Sequence, residues 1–124
     1  MDNQLVTKQN SLQQIVLSIL AIAIVLVGVV SGVYQLRTAD PYVQKVLKLQ
    51  GDLIQGHAIF QMNCAGCHGI EAHGRVGPSL RRVSEHKSRV SLIQQVISGQ
   101  TPPMPQFQPS SQEMADLLSY LESL

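Results

Sequence analysis

Residues 64–68 read Cys-Ala-Gly-Cys-His, and Cys64 and Cys67 are the only two cysteines in a chain of 124 residues. Three chemistries compete for such a cluster. A tetrahedral zinc site needs four ligands. His68 follows Cys67 directly and points awkwardly for the same ion, and His57 or His73 would have to complete the set. A thioredoxin-like dithiol expects a βαβ context, whereas the hydrophobic patterning here is helical throughout. The third chemistry is covalent attachment of a c-type haem, for which C-x-x-C-H is the signature. The spacing suits it. Two thioethers hold the two former vinyl carbons on one porphyrin edge, and the turn between the cysteines presents the next histidine to the iron. Cys64 and Cys67 are then tethers, and His68 is the proximal axial ligand.

Two further segments support the haem reading independently. A sixth ligand is expected downstream, and Met104 lies in Pro-Pro-Met-Pro-Gln-Phe, where four prolines fall between residues 102 and 109. A proline-stiffened loop holds a thioether in place at little entropic cost. The alternative, a methionine filling a gap in the core, fits poorly between Pro103 and Pro105. Ten residues beyond His68, Gly77-Pro78-Ser79-Leu80 places a carbonyl, that of Pro78, where it can accept from the other ring nitrogen of His68 and fix the tautomer. An ordinary turn is the alternative there. His57 is expected on an exposed helix face, and His73 and His86 in polar loops. Met62 is too close to Cys64 to reach the opposite haem face, and Met114 belongs to the apolar stripe of a helix.

The elements that must position these residues are all helical. Asp40-Pro41 is a start signal, cap then first turn, for a short helix over 41–49 with Val43, Val46 and Leu47 on one side. Asp52 caps a helix over 53–63, with Leu53, Gly56, Ala58, Ile59, Phe60 and Met62 as apolar or close-packing positions. Residues 69–87 read as loop with a helical turn near 80–83. Ser88 or Ser91 starts a helix that runs to Ser98 and ends at Gly99, with Val90, Ile93, Val96 and Ile97 at helical spacing. Ser110-Ser111-Gln112-Glu113 fits a capping box for a last helix whose face is Met114, Leu117, Leu118, Leu121 and Leu124. Gly56 is placed to let this helix cross the 53–63 helix, with Phe60 against Tyr120.

No charged residue occurs between Lys8 and Arg37. Within that gap, residues 15–36 form an apolar run of 22 residues. As a helix it spans roughly 33 Å, enough to cross a hydrocarbon core of about 30 Å. The rest of the chain is too small to bury such a helix on all sides. A cleaved signal peptide is the rival, but its apolar region is usually shorter and its leading segment more basic. The expected organisation is therefore a polar, frayed tail over 1–14, a transmembrane anchor over 15–36, a linker and short helix over 37–50, and a folded domain over 51–124. Residues 41–124 carry seven Lys/Arg and six Asp/Glu, which gives no indication of nucleic-acid binding. Arg75, Arg81, Arg82, Lys87 and Arg89 cluster, while Glu113, Asp116 and Glu122 lie near the end. This is either a solvated surface or a dipole that steers a charged partner.

The ordered motifs Gly51-Asp52, Gly56, Phe60, Asn63-Cys64-x-x-Cys67-His68-Gly69, Gly77-Pro78-x-Leu80, Gly99 and Met104-Pro105-x-Phe107 resemble the class I cytochromes c. With the apolar amino-terminal segment and Asp40-Pro41-Tyr42-Val43, they most resemble the cyanobacterial cytochrome M branch of that family. The resemblance implies an all-α class I cytochrome c fold preceded by one transmembrane helix, and one covalent haem c per chain. It further implies one-electron transfer rather than enzymatic catalysis, and photosynthetic or respiratory complexes or proteins as redox partners, with no small-molecule substrate. It puts the haem domain in the thylakoid lumen or periplasm, although the lysine and arginine count (Lys8 before the anchor; Arg37, Lys45 and Lys48 after it) opposes that orientation. One departure is the absence of tryptophan, which many relatives use to bind a haem propionate. Arg75, Arg81 and Gln106 are the candidates for that role. The rival functions are a gas-binding haem sensor, which needs a labile sixth position, and a fixed haem subunit of a larger oxidoreductase. For the latter, Gly28 and Gly32 on the anchor give a weak helix-packing motif.

Overall fold

A computed structural model describes residues 2–38 and 40–124, with the backbone alone for 2–11, 37 and 38. It resolves into two units, residues 1–36 and 37–124. In the first, α1 runs over Asp2–Thr38. Its stretch Leu12–Leu36 has a mean hydropathy of 2.9 and no buried residue, so it is long and apolar enough to cross a membrane. The helix does not fray over residues 2–14 as expected. That stretch contains no proline or glycine, and its Gln, Leu and Lys are good helix formers. Met1, Ala39 and the side chains of Lys8 and Arg37 lie outside the described residues.

The second unit holds six helices and, among the described residues, no strand: α2 (Pro41–Lys48), α3 (Leu53–Asn63), α4 (Ala65–His68), α5 (Val83–His86), α6 (Arg89–Ser98) and α7 (Ser111–Ser123). α7 is the centre, and α2, α3, α5 and α6 all pack on it. Its start is fixed locally. The Ser110 hydroxyl accepts from Glu113 N at 3.3 Å, and the Glu113 carboxylate accepts from Ser110 N at 2.8 Å. Met114, Ala115, Leu117, Leu118 and Leu121 then face inward and are buried.

The bonds to the Ser110 side chain and backbone hold the Glu113 carboxyl below the ordinary glutamate range. A depressed folded-state pKa contributes stability above the unfolded value, and that contribution is lost as pH falls through the folded value. Glu113→Gln is therefore expected to flatten the acid side of a plot of melting temperature against pH. Thermal melts across the acid range check this.

The crossing of α3 and α7 sets the domain. A Cβ on Gly56 would lie 1.9 Å from the Asp116 carbonyl oxygen, so only glycine permits this approach. Phe60, fully buried, meets the Tyr120 ring at 5.2 Å between centroids, and the His57 ring lies 4.9 Å from that of Tyr120. His57 is exposed, as expected, and its ring is tilted 44° to that of Tyr120. Asp52 caps α3 through Ile54 N and Gln55 N, and the buried Asp116 carboxylate accepts from Asp52 N at 2.8 Å. α7 thereby holds the first residue of α3 directly.

Some expectations need correction. Leu53 and Met62 are 49% and 75% exposed rather than packed, because α3 is apolar on every side and its polypeptide neighbours cover only the Gly56–Ile59–Phe60 face. The helical turn near 80–83 lies later, at Val83–His86, and includes His86. Leu80 is tied back by its N–H to the Ala72 carbonyl, and Arg82 takes a left-handed φ of 58° as the cap. α2 ends at Lys48, one residue short of the expected Leu49. The basic cluster is largely neutralised. Arg81 pairs with Glu71, Arg82 with Glu85, and Arg89 Nε lies 3.0 Å from Glu122 Oε1. A dipole between the cluster and the carboxyl-terminal acids is correspondingly reduced.

Candidate functional site

The C-x-x-C-H cluster sits where α3 hands over to α4. Cys64 N donates to Phe60 O and closes α3, and His68 N donates to Cys64 O within the one-turn α4. Cys64 is half-buried and Cys67 exposed, and both are free thiols. Burial, with the neighbouring Cys67 second, pushes the Cys64 thiol up to about 11. Redox-active dithiols depend on a lowered pKa, so this environment does not suit the thioredoxin-like reading. Among the described residues no group of three or more His, Cys, Asp or Glu side chains converges to hold a zinc ion.

His68 is buried and its ring is clamped. The following loop folds back over the motif: Gly74 N donates to His68 O at 2.7 Å, and Val76 N and Gly77 N both donate to Cys67 O, at 3.0 and 2.8 Å. This brings the Pro78 carbonyl to 2.8 Å from His68 Nδ1. A carbonyl only accepts, so Nδ1 carries the proton and Nε2 keeps its lone pair. Nε2 has no hydrogen-bond partner among the described residues. Gly77 makes the clamp sterically feasible, because a Cβ there would meet His68 Cε1 at 2.7 Å and Nδ1 at 3.0 Å. Gly77→Ala is expected to displace the ring from Pro78 and cost about 1–3 kcal/mol. The checks are a thermal melt and the visible spectrum of the purified protein.

Met104 enters from a separate segment. Its N–H closes a turn on Thr101 O at 3.0 Å, within a loop that contains a cis Pro102–Pro103 peptide. The loop is pinned to α6 by Phe107 N to Val96 O at 3.0 Å and by Gln106 Nε2 to Ile97 O at 2.9 Å. Met104 is partly buried, and it and Cys64 both pack against the core. Gln95 on α6 braces the sulfur, with its Nε2 3.8 Å from Met104 Sδ and 2.9 Å from Thr101 Oγ1. Sequence reasoning missed Gln95, since a glutamine on a helix carries no signal of what it will meet. Of the propionate candidates, Gln106 is committed to Ile97 O and Arg81 to Glu71, which leaves Arg75.

These residues fit a covalently held haem. The tethers flank one turn of helix, the histidine offers a lone pair at Nε2 with its tautomer fixed behind it, and a thioether is held on a braced loop. Comparison with known proteins agrees. The profile of the family described as "Cytochrome C oxidase, cbb3-type, subunit III" matches residues 51–121. A protein of Synechocystis sp. described as "Cytochrome c-553-like" is 58% identical over 93 residues, which cover 75% of this chain and 89% of that one. Cytochrome cL from Hyphomicrobium denitrificans shares the fold with a TM-score of 0.52 at 21% identity, over 68% of this chain and only 58% of that longer one. Identity at the level of the Synechocystis protein, sustained over nearly all of its length, leaves one family: this chain belongs to the class I c-type cytochromes, electron carriers that hold haem c covalently.

Proposed function

We propose that the chain is a membrane-anchored mono-haem cytochrome that passes single electrons between membrane-bound redox partners of photosynthesis or respiration. Cys64 and Cys67 would hold the haem through thioethers, and His68 Nε2 and Met104 Sδ would be the protein's ligands to its iron. Bound there, the haem iron supplies the one-electron couple between ferrous and ferric states. The polypeptide supplies the rest. Pro78 holds the His68 ring and proton in place, and Gln95 and the proline loop hold the thioether. With His68 and Met104 both held as ligands the iron would keep no coordination position for a substrate, which favours a carrier over an enzyme. A thioether paired with histidine favours the ferrous state.

The observation that carries this reading is the 2.8 Å contact between His68 Nδ1 and the Pro78 carbonyl, which holds the ring proton on Nδ1 and leaves the unprotonated Nε2 as the ligating atom. Residues 15–36, which lie within the apolar stretch Leu12–Leu36, form the anchor, residues 1–14 are cytoplasmic, and residues 51–124 form the haem domain on the lumenal or periplasmic side, where c-type haem is attached. The tether raises the effective concentration of the carrier at its partners. Lys45 and Lys48 belong to the folded α2, which accounts for basic residues on that side. The test is protease digestion of vesicles of known sidedness. Degradation of the haem domain from the lumenal or periplasmic face alone is expected, and degradation from the cytoplasmic face would overturn the orientation. A fixed-subunit role has one observation in its favour, the oxidase-subunit description of the matching family. Purification of the haem domain in a stable complex with an oxidase would establish it.

A further inference from the structure

α2 carries all of its charge on one face. Val43 and Val46 are buried in the haem domain, while Pro41, Gln44, Lys45 and Lys48 are exposed. Positions three, four and seven apart form one stripe along a helix. α2 contains no acidic residue, and its last turn carries both lysines. Asp40 and Glu113 lie beside Tyr42, at the opposite end of the helix from the lysines. Each is committed to a backbone N–H, Asp40 to Tyr42 and Glu113 to Ser110. Neither lysine makes an ion pair among the described residues.

This basic stripe is also the first element after the apolar span. Only residues 37–39 separate Leu36 from the Asp40 cap, a reach of at most roughly 14 Å. One of the three is another base, Arg37. The headgroup layer outside the hydrocarbon is about 5–7 Å deep, and α2 is about 12 Å long. The stripe is thus tethered within range of the lipid phosphates, where a cation is attracted to an anionic surface and the attraction dies within a Debye length.

We infer that α2 docks lengthwise on anionic lipid headgroups through Lys45 and Lys48, so that the haem domain is presented to its partners in a fixed orientation. The inference rests on the membrane-anchor reading above. Its test uses the full-length holoprotein in vesicles with a headgroup fluorophore that the haem quenches. One set is pure phosphatidylcholine, and the other contains 30 mol% phosphatidylglycerol. Quenching is expected to be stronger in the anionic set and to return to the neutral level in about 1 M salt, where the Debye length is roughly 3 Å. Lys45→Gln with Lys48→Gln is expected to lower the docked-to-undocked ratio on the order of 30-fold in anionic vesicles, without changing the haem spectrum or the thermal melt. Equal quenching in both sets, with all the protein floating with the vesicles, would overturn the inference and leave the anchor intact. Failure to float with either set would instead overturn the anchor reading.

Discussion

Met104→His is expected to lower the midpoint potential on the order of 0.1–0.3 V, a fraction of the roughly 0.8 V that axial ligation spans. The reason is chemical: a thioether stabilises the ferrous state, whereas a second imidazole donates more strongly and favours the ferric state. Met104→Ala, by contrast, leaves no side chain to reach the iron, and the reduced variant is expected to bind carbon monoxide. The pinning of the loop makes both outcomes interpretable. The bonds from Phe107 N and Gln106 Nε2 to α6 do not involve the Met104 side chain, so the loop keeps its path in either variant. Redox titration and a carbon monoxide difference spectrum measure the two effects. An unchanged potential in Met104→His would move the sixth ligand to another residue.

The largest loss of stability is expected from Gly56→Ala. The added carbon would sit 1.9 Å from Asp116 O and 2.6 Å from Asp116 C. These are backbone atoms in the middle of α7, so no rotamer change relieves the clash, and α3 and α7 must separate. The separation would loosen Phe60 from Tyr120 and strain the bond from Asp52 N to the Asp116 carboxylate. Overpacking usually costs about 1–3 kcal/mol, and a clash with backbone belongs at or above the top of that range. For a domain of this size a loss of about 3 kcal/mol lowers the melting temperature by roughly 12–24 °C. Thermal unfolding followed by circular dichroism measures it, and a shift of only a few degrees would mean that the helices do not cross at Gly56.

Features written in local chemistry were legible in the sequence. Caps are bonds between a side chain and the backbone two or three residues on, so Asp52 and Ser110 mark the starts of α3 and α7 correctly. The α3–α7 crossing was legible because a lone glycine one turn before Phe60 has few other uses. What depends on distant partners was not. The late start of α5 follows from Leu80 N reaching back to Ala72 O, a bond no local pattern reveals. The pairing of Arg89 with Glu122 joins α6 to the end of α7 and cancels charges that look separate in the sequence. Leu53 and Met62 looked like core because every face of α3 is apolar, so residue type does not say which face is covered. In the candidate site, the contact between Pro78 and His68 was legible from the ten-residue spacing, whereas Gln95 emerged only once α6 was set beside the Met104 loop.

We propose that the polypeptide supplies both protein ligands to the iron, His68 and Met104. The absorbance spectrum of the purified, dithionite-reduced holoprotein before and after exposure to carbon monoxide tests this. An unchanged Soret band is expected, because no coordination position would be open. A shifted band would show that the sixth position exchanges ligands, and would replace the electron carrier with a gas-binding protein.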